Sequence, residues 1–337
     1  MPSPSLLTEG GVFAYPSRDA VNQLIAAQGI LSQGNVWWVR PINGSDINDG
    51  RSPATAFATL AAAQNAAVAN QNDVVLLCAE NNTASGTTNY QSDVLIWAKN
   101  LVHLIGVNSN PTFGQRSRVA LAAASTTSNE LFRLSGNGCK ISGIEFFMGV
   151  ASVNPIGCMN VTGQRNHIIG CQIAGMGATT NDISGSYSLA ITGGAENVFE
   201  DCAIGQNTVQ LGAGTSNSVI LFASGATRNI FKRCIVQLNT SSATACLFLR
   251  AVAGSMDRFQ YFIDTIFENV VQSGSTTLTH GMAVAASGSP SGGIVLAGTT
   301  GMVGASGWNT TNAGNIYAVG GVQPTAGSWG LATAVTG

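Results

Sequence analysis

Apolar and polar positions alternate at period two in short runs along most of this chain, and the runs come in pairs. The first run of each pair ends at a glycine turn: LFRLSG, CMNVTG, LAITGG, VILFASG and LFLRAVAG. The second follows within a few residues: KISGIEFF, HIIGCQIA, VFEDCAIG, IFKRCIVQ and YFIDTIFE. Alternation at period two marks half-buried strands. No stretch has 3.6-residue periodicity long enough for the paired helices of a helical repeat.

The pairs recur at a nearly constant interval. Leu134, Val161, Ile191, Leu221 and Leu249, read as inward residues of the first strand, are 27, 30, 30 and 28 residues apart. In the second strand Ile144, Cys171, Cys202, Cys234 and Thr265 are 27, 31, 32 and 31 apart. A unit of this length built from short strands cannot bury its own apolar face, so it must stack on its neighbours as a parallel coil. The expected coil is continuous over roughly residues 70 to 300, with about eight turns.

Equivalent positions in such a coil lie one above another, about 4.8 Å apart. Cys171, Cys202 and Cys234 should then form one inward column as small buried hydrophobes, with Asn166, Asn197 and Asn229 recurring beside them. The residue before each column member is Gly143, Gly170, Asp201, Arg233 or Asp264. A sharp corner needs left-handed backbone there, which Gly and Asp tolerate. Arg233 departs from that pattern and is expected to bridge Asp201 and Asp264, with Lys232 paired to Glu200.

The repeat resembles the right-handed parallel β-helix, or pectate-lyase-like, family. So does the stretch NVWWVRPINGSDINDGRSPATAFATLAAAQNAAVANQNDVVLLCAE, although Ala56 stands where many relatives have Pro. The resemblance covers about residues 35 to 270 and implies an all-β chain: a single right-handed parallel β-helix with short N-terminal helices capping one end. The expected division is an N-terminal arm and helix (1–34), an opening strand and capping helix (35–70), the coil (71–300), and a Gly-rich cap or subunit contact (301–337). Phe57, Leu60, Ala61, Ala67 and Val68 lie near one face of the capping helix. In the arm, Ser17 suits an N-cap and Gly29 a helix end, with Val21, Leu24 and Ile25 along one side. That helix either packs on the coil or serves attachment.

Composition narrows the partners. Charged residues are 9% of the 337 and the net charge is −2, against about 25% charged in typical soluble domains. A basic footprint for nucleic acid or an anionic membrane is missing. The opening MPSPSLLTEGG has neither a basic n-region nor an apolar h-region, so a chain made in the cytosol without a signal peptide is expected. Seven cysteines without a C-x-x-C pair read as reduced thiols.

Candidate chemistry is sparse. Asp46, Asn48 and Asp49 in SDINDG could hold calcium, but the distal Glu of an EF-hand loop is missing, so a capped turn is the better reading. No cofactor is expected. Polysaccharide-cleaving relatives use carboxylates facing one groove, or a basic residue near carboxylate-bound calcium. The carboxylates that the repeat brings to neighbouring turns are Glu200, Asp201 and Asp264, with Lys232 and Arg233 between them to neutralise them. No catalytic site is therefore expected; if the chain is an enzyme, those three carry it.

What remains resembles structural proteins on the outside of tailed-phage particles, made in the host cytoplasm and commonly trimeric. The expected function is a non-enzymatic virion surface protein, a capsid decoration or head-spike protein, homotrimeric and bound to capsid or other virion proteins. Neither nucleic acid nor membrane is expected as a partner. Leu6, Leu7, Phe13, Val21, Leu24, Ile25, Trp308 and Trp329 are the candidate assembly contacts. The alternative is a tailspike depolymerase, a glycosidase or lyase acting on bacterial surface polysaccharide, which leaves a glycan as a possible partner.

Overall fold

The computed structural model describes residues 18–27, 29–30, 34–80, 87–91, 93–107, 117–122, 125, 128–150, 156–270, 274–284, 292–309 and 315–319. Among the described residues, three parallel sheets of ten, eight and seven strands enclose one long core. From Asp73–Cys78 onward each turn gives one strand to each sheet in order. Seven complete turns end with Gln260–Ile263, Ile266–Asn269 and Met282–Val284. Ile294–Ala297 and Gly301–Val303 begin another turn, while Val36–Val39 and Ile316–Val319 extend the first sheet at its two ends.

The corner between the first and second sheets follows the sequence closely. Gly143, Gly170, Asp201, Arg233 and Asp264 all have left-handed backbone, φ 51° to 64°. Arg233 adopts it despite its side chain, which reaches Asp201 and Glu200 rather than bridging Asp201 to Asp264. The Asp264 carboxylate instead accepts from the Thr299 N–H and hydroxyl.

Inside that corner Cys171, Cys202 and Cys234 are fully buried in one column. Each thiol donates to the carbonyl two residues before it and to one in the turn below, as Cys202 does to Glu200 (3.3 Å) and Ile168 (3.5 Å). Thr265 makes the same pair of bonds with its hydroxyl, and Thr300 bonds the Phe262 carbonyl in the turn below and the Ala297 carbonyl three residues before it. From Cys171 onward, above Ile144, the column therefore carries small side chains that can donate. Burial pushes the Cys171 thiol up to about 12, so it stays protonated and able to donate.

A second ladder runs through the turn between the third and first sheets. Asn166, Asn197 and Asn229 are buried, and each backbone N–H donates to the side-chain oxygen one turn on, ending at Gln260. Between the ladders Phe199, Phe231 and Phe262 stack with centroids 4.7 and 4.5 Å apart. Each such ring contributes on the order of 1.5–3 kcal/mol by burial.

One inward column differs from expectation. Leu134, Val161 and Ile191 continue to Phe222 and Ala251, not to Leu221 and Leu249. Counted from the paired Leu189 and Ile220 to the next glycine, the later strand is one residue longer, and the pairing absorbs it as an irregularity just past Ile191. Leu221 therefore faces outward beside Arg250, while Leu249 stays inward, level with Ile220.

Among the described residues, two α-helices cover the N-terminal turns. Helix α1 (Arg18–Ala27) ends at Gly29 with φ 78°, and lays Val21 and Ile25, with Ile30, over Trp38, Val74, Leu76 and Ile105. Those residues are on the outer face of the first sheet, so α1 covers its opening turns. Helix α2 (Leu60–Ala66) starts at Thr59, whose hydroxyl accepts the Ala62 N–H. Its buried stripe is Leu60 and Ala63, continued by Ala67, while Ala61 and Val68 face solvent. Two turns of helix bury only positions three and four apart.

Candidate functional site

Past helix α1 the outer face of the first sheet changes character. Strand register puts Lys140, His167, Val198, Ile230, Tyr261, Val295 and Tyr317 in one column, with His103 beneath Lys140. The next outward column carries Ser142, Ile169, Glu200, Lys232, Ile263, Ala297 and Val319. Lys140, His167, Glu200 and Lys232 thus meet on adjoining strands.

Glu200 organises this group. Its carboxylate meets His167 Nε2 at 3.0 Å, Arg233 at 2.7 Å and Lys232 Nζ at 3.2 Å. Burial would raise this carboxyl, but hydrogen bonds from Arg233, Lys232 and His167 outweigh it and hold it at about 2. An ionised carboxylate only accepts, so His167 carries its proton on Nε2 and leaves Nδ1 with a lone pair. Burial, then the Lys140 ammonium, pull the imidazole below its ordinary value, while Glu200 raises it. The side chain is 34% exposed. This is a neutral imidazole, oriented by a carboxylate and reachable from solvent, with two lysines nearby.

The remaining sequence candidates are engaged elsewhere. Asp201 is held by Arg233 at 2.7 and 2.8 Å, and Asp264 lies one turn further on, bonded to Thr299. Asp46 accepts from the Ala58 and Thr59 N–H groups and the Thr59 hydroxyl, bracing the start of α2. Asn48 donates to the Ala56 carbonyl, and Asp49 accepts the Arg51 N–H. These three residues therefore build a turn and a helix cap.

Val21 and Ile25 are buried against the coil, and Trp308 packs edge-to-face on Phe267. Leu6, Leu7, Phe13, Trp329 and the Leu24 side chain lie outside the described residues. Of the mid-chain aromatics, Trp97 is core and donates to the Val102 carbonyl. Tyr187 lies over Gly157 on the third sheet, its hydroxyl 3.3 Å from Glu130, which also binds Arg133 and Asn160. That network is closed on itself.

His167 and Lys140 were not among the sequence candidates. Their signal was present: aligning HIIGCQIA under VFEDCAIG puts His167 one strand below and two positions before Glu200. Tyr261, Tyr317 and Phe259 were also missed as outward aromatics on this face.

No family model and no curated protein matches the chain. Solved structures do. A pectin methylesterase from Erwinia chrysanthemi aligns with a TM-score of 0.51 at 14% identity, over 86% of this chain and 82% of that one. The chain is a right-handed parallel β-helix. A pectin methylesterase from Aspergillus niger aligns at 0.48 and 12% identity, over 88% and 94% of the two chains. Pectate lyase Pel9A aligns at 0.44 and 11%, over 86% and 79%.

These likenesses are of fold, and their names correct one expectation. A non-enzymatic chain was expected, yet the Erwinia chrysanthemi protein that shares its coil is an enzyme by name. The expected pairing of Lys232 and Arg233 with Glu200 and Asp201 is present, and Glu200 in addition meets a histidine that the sequence reading set aside.

Proposed function

We propose that this chain is a polysaccharide-processing β-helix of the tailspike depolymerase kind, working as a lyase with His167 as its base. The observation that carries the reading is the His167–Glu200 pair on an open sheet face, with Lys140 and Lys232 beside it. Hydrolysis of a glycosidic bond needs one protonated and one ionised carboxyl group about 5–9.5 Å apart. Glu200 is held ionised and Asp201 is clamped by Arg233, which does not fit that requirement.

Elimination asks for different groups: a base, and positive charge where an enolate develops. In a uronic-acid polymer, Nδ1 of His167 takes the proton α to the carboxylate. The electron pair left behind forms a carbon–carbon double bond as the glycosidic oxygen departs and takes a proton from solvent. Lys140 and Lys232 supply the positive field for the sugar carboxylate, and Glu200 keeps the imidazole in the required tautomer. The pectin-acting names among the solved structures that share the fold support a polysaccharide as the substrate.

The setting belongs to the same proposal: a homotrimer on a tailed-phage virion, made in the host cytoplasm. Its support is the low charge and neutral loops of the sequence. The test is incubation with capsular, lipopolysaccharide and uronate polymers, followed by mass and ultraviolet analysis of the products. Unsaturated chain ends are expected. Saturated fragments, or no fragments from any polymer, would reject the lyase.

A further inference from the structure

The first sheet's outer face continues beyond the His167 cluster, and its side chains change from charged to apolar and aromatic. Val198 and Ile230 follow His167 in the same column, each half-buried, and then come Tyr261, Val295 and Tyr317. Tyr317 is 46% exposed, and Phe259 beside it 36%. Their rings meet edge to face with centroids 5.5 Å apart. Val319, in the neighbouring column, is 59% exposed. At the other end of the sheet, helix α1 already occupies the equivalent face through Val21, Ile25 and Ile30. The face is thus closed at one end, catalytic in character near its middle, and aromatic at the far end.

We propose that a glycan chain lies along the solenoid axis on this face, with one sugar at His167 and later sugars stacked on Tyr261 and on the Phe259–Tyr317 pair. The proposal rests on the reading of His167 as the reacting site and adds a direction and distal subsites to it. Strand spacing supports it. Tyr261 is three strands from His167 and Tyr317 five, about 14 and 24 Å at about 4.8 Å per strand. One strand spacing is close to the length of one sugar unit in a polymer, so successive sugars can keep step with successive turns.

The chemistry agrees as well. Sugar rings present apolar C–H faces that suit aromatic platforms, while their hydroxyls stay in water. Val198 and Ile230 form an uncharged floor between the base and the first platform. A run of exposed apolar side chains is otherwise a liability on a protein with few surface charges.

The experiment is calorimetric titration of the full chain carrying His167→Ala, which binds without turnover, with oligogalacturonides from disaccharide to octasaccharide. Affinity is expected to rise with length until the chain reaches Tyr317. Tyr317→Ala, and Tyr261→Leu, which keeps most of the buried area, should each weaken octasaccharide binding about fivefold and leave disaccharide binding unchanged. Length-independent affinity, absence of binding, or unchanged octasaccharide binding in both variants overturns the proposal. So does a drop in oligomer mass in the variants, which would make a second copy of the chain the occupant. The two readings fail separately. If His167→Ala leaves turnover intact while the tyrosine variants lose long-chain binding, the base assignment falls and the track stands. Normal turnover that depends on His167 but not on the tyrosines gives the reverse.

Discussion

His167 Nε2 lies 3.0 Å from Glu200 Oε2, across one strand spacing of the first sheet. With Glu200 ionised down to about pH 2, this bond fixes the imidazole tautomer over the whole working range. Of the pair, only His167 is then left to change charge above that pH. Its value is pulled below the ordinary 6.5, by burial first. kcat/KM should be flat above 6.5 and fall on the acid side, where the imidazole gains its second proton and can no longer act as a base. Glu200 raises the His167 value, so Glu200→Gln should lower kcat about tenfold and move the acid limb to lower pH. A limb that stays in place would show that Glu200 does not act through His167.

A separate pH effect belongs to His103. Burial lowers its value from 6.5 to about 4, and Nδ1 accepts the Lys140 N–H at 3.0 Å. A folded-state value below the unfolded one gives stability that is present above 6.5 and is lost as pH falls toward 4. Denaturation midpoints should therefore decline across that window. His103→Gln, which removes the titrating group, should flatten the decline; an unchanged slope would assign it to other groups.

The cysteine column predicts an order of substitutions. Cys202→Thr should cost less than about 1.5 kcal/mol, because Thr265 already makes the same two carbonyl bonds. Cys202→Asp should cost about 3–5 kcal/mol or prevent folding, since it buries a charge with no partner. Urea midpoints measure both, and equal costs would contradict a column of donors.

In the asparagine ladder, Asn197 accepts the Asn166 N–H and donates to the Gly163 carbonyl. Replacing it by Ala orphans both groups, at about 1–3 kcal/mol each. Asn197→Ala should thus lower the urea midpoint more than Ala at exposed Arg165, whose guanidinium bonds Glu196 at the surface. Comparable losses would mean that the ladder contributes no more than a surface ion pair.

The coil was legible because its inward columns repeat one residue type. Cys171, Cys202 and Cys234 each follow a left-handed corner residue, and stacking repeats that requirement every turn. Where the repeat stretches, legibility drops: VILFASG carries its irregularity just past the inward Phe222, and the spacing alone pointed to Leu221 instead. The site was harder to see for a related reason. A repeat advertises what is the same from turn to turn, whereas Glu200 and Lys140 are each unique in their columns and His167 shares its column with one other histidine, His103, two strands away. Only the register, which sets His167 diagonally beside Glu200, converts three isolated residues into a group. Tyr317 lies further still, in a strand past the last clear repeat, and its alignment with His167 emerges from five successive strand pairings. The docking of Val21 and Ile25 was one of two options for an amphipathic helix, and the apolar outer face of Trp38, Val74 and Leu76 decided it.

The most direct measurement is the rate of polymer cleavage by the intact chain and by His167→Ala, followed through the unsaturated chain ends on one polysaccharide that the wild type cuts. Loss of a general base predicts a fall of about 100-fold or more, with the fold kept, because His167 is an outward side chain on a sheet whose core it does not enter. Cleavage by His167→Ala at the wild-type rate would contradict the assignment of this face as the working site.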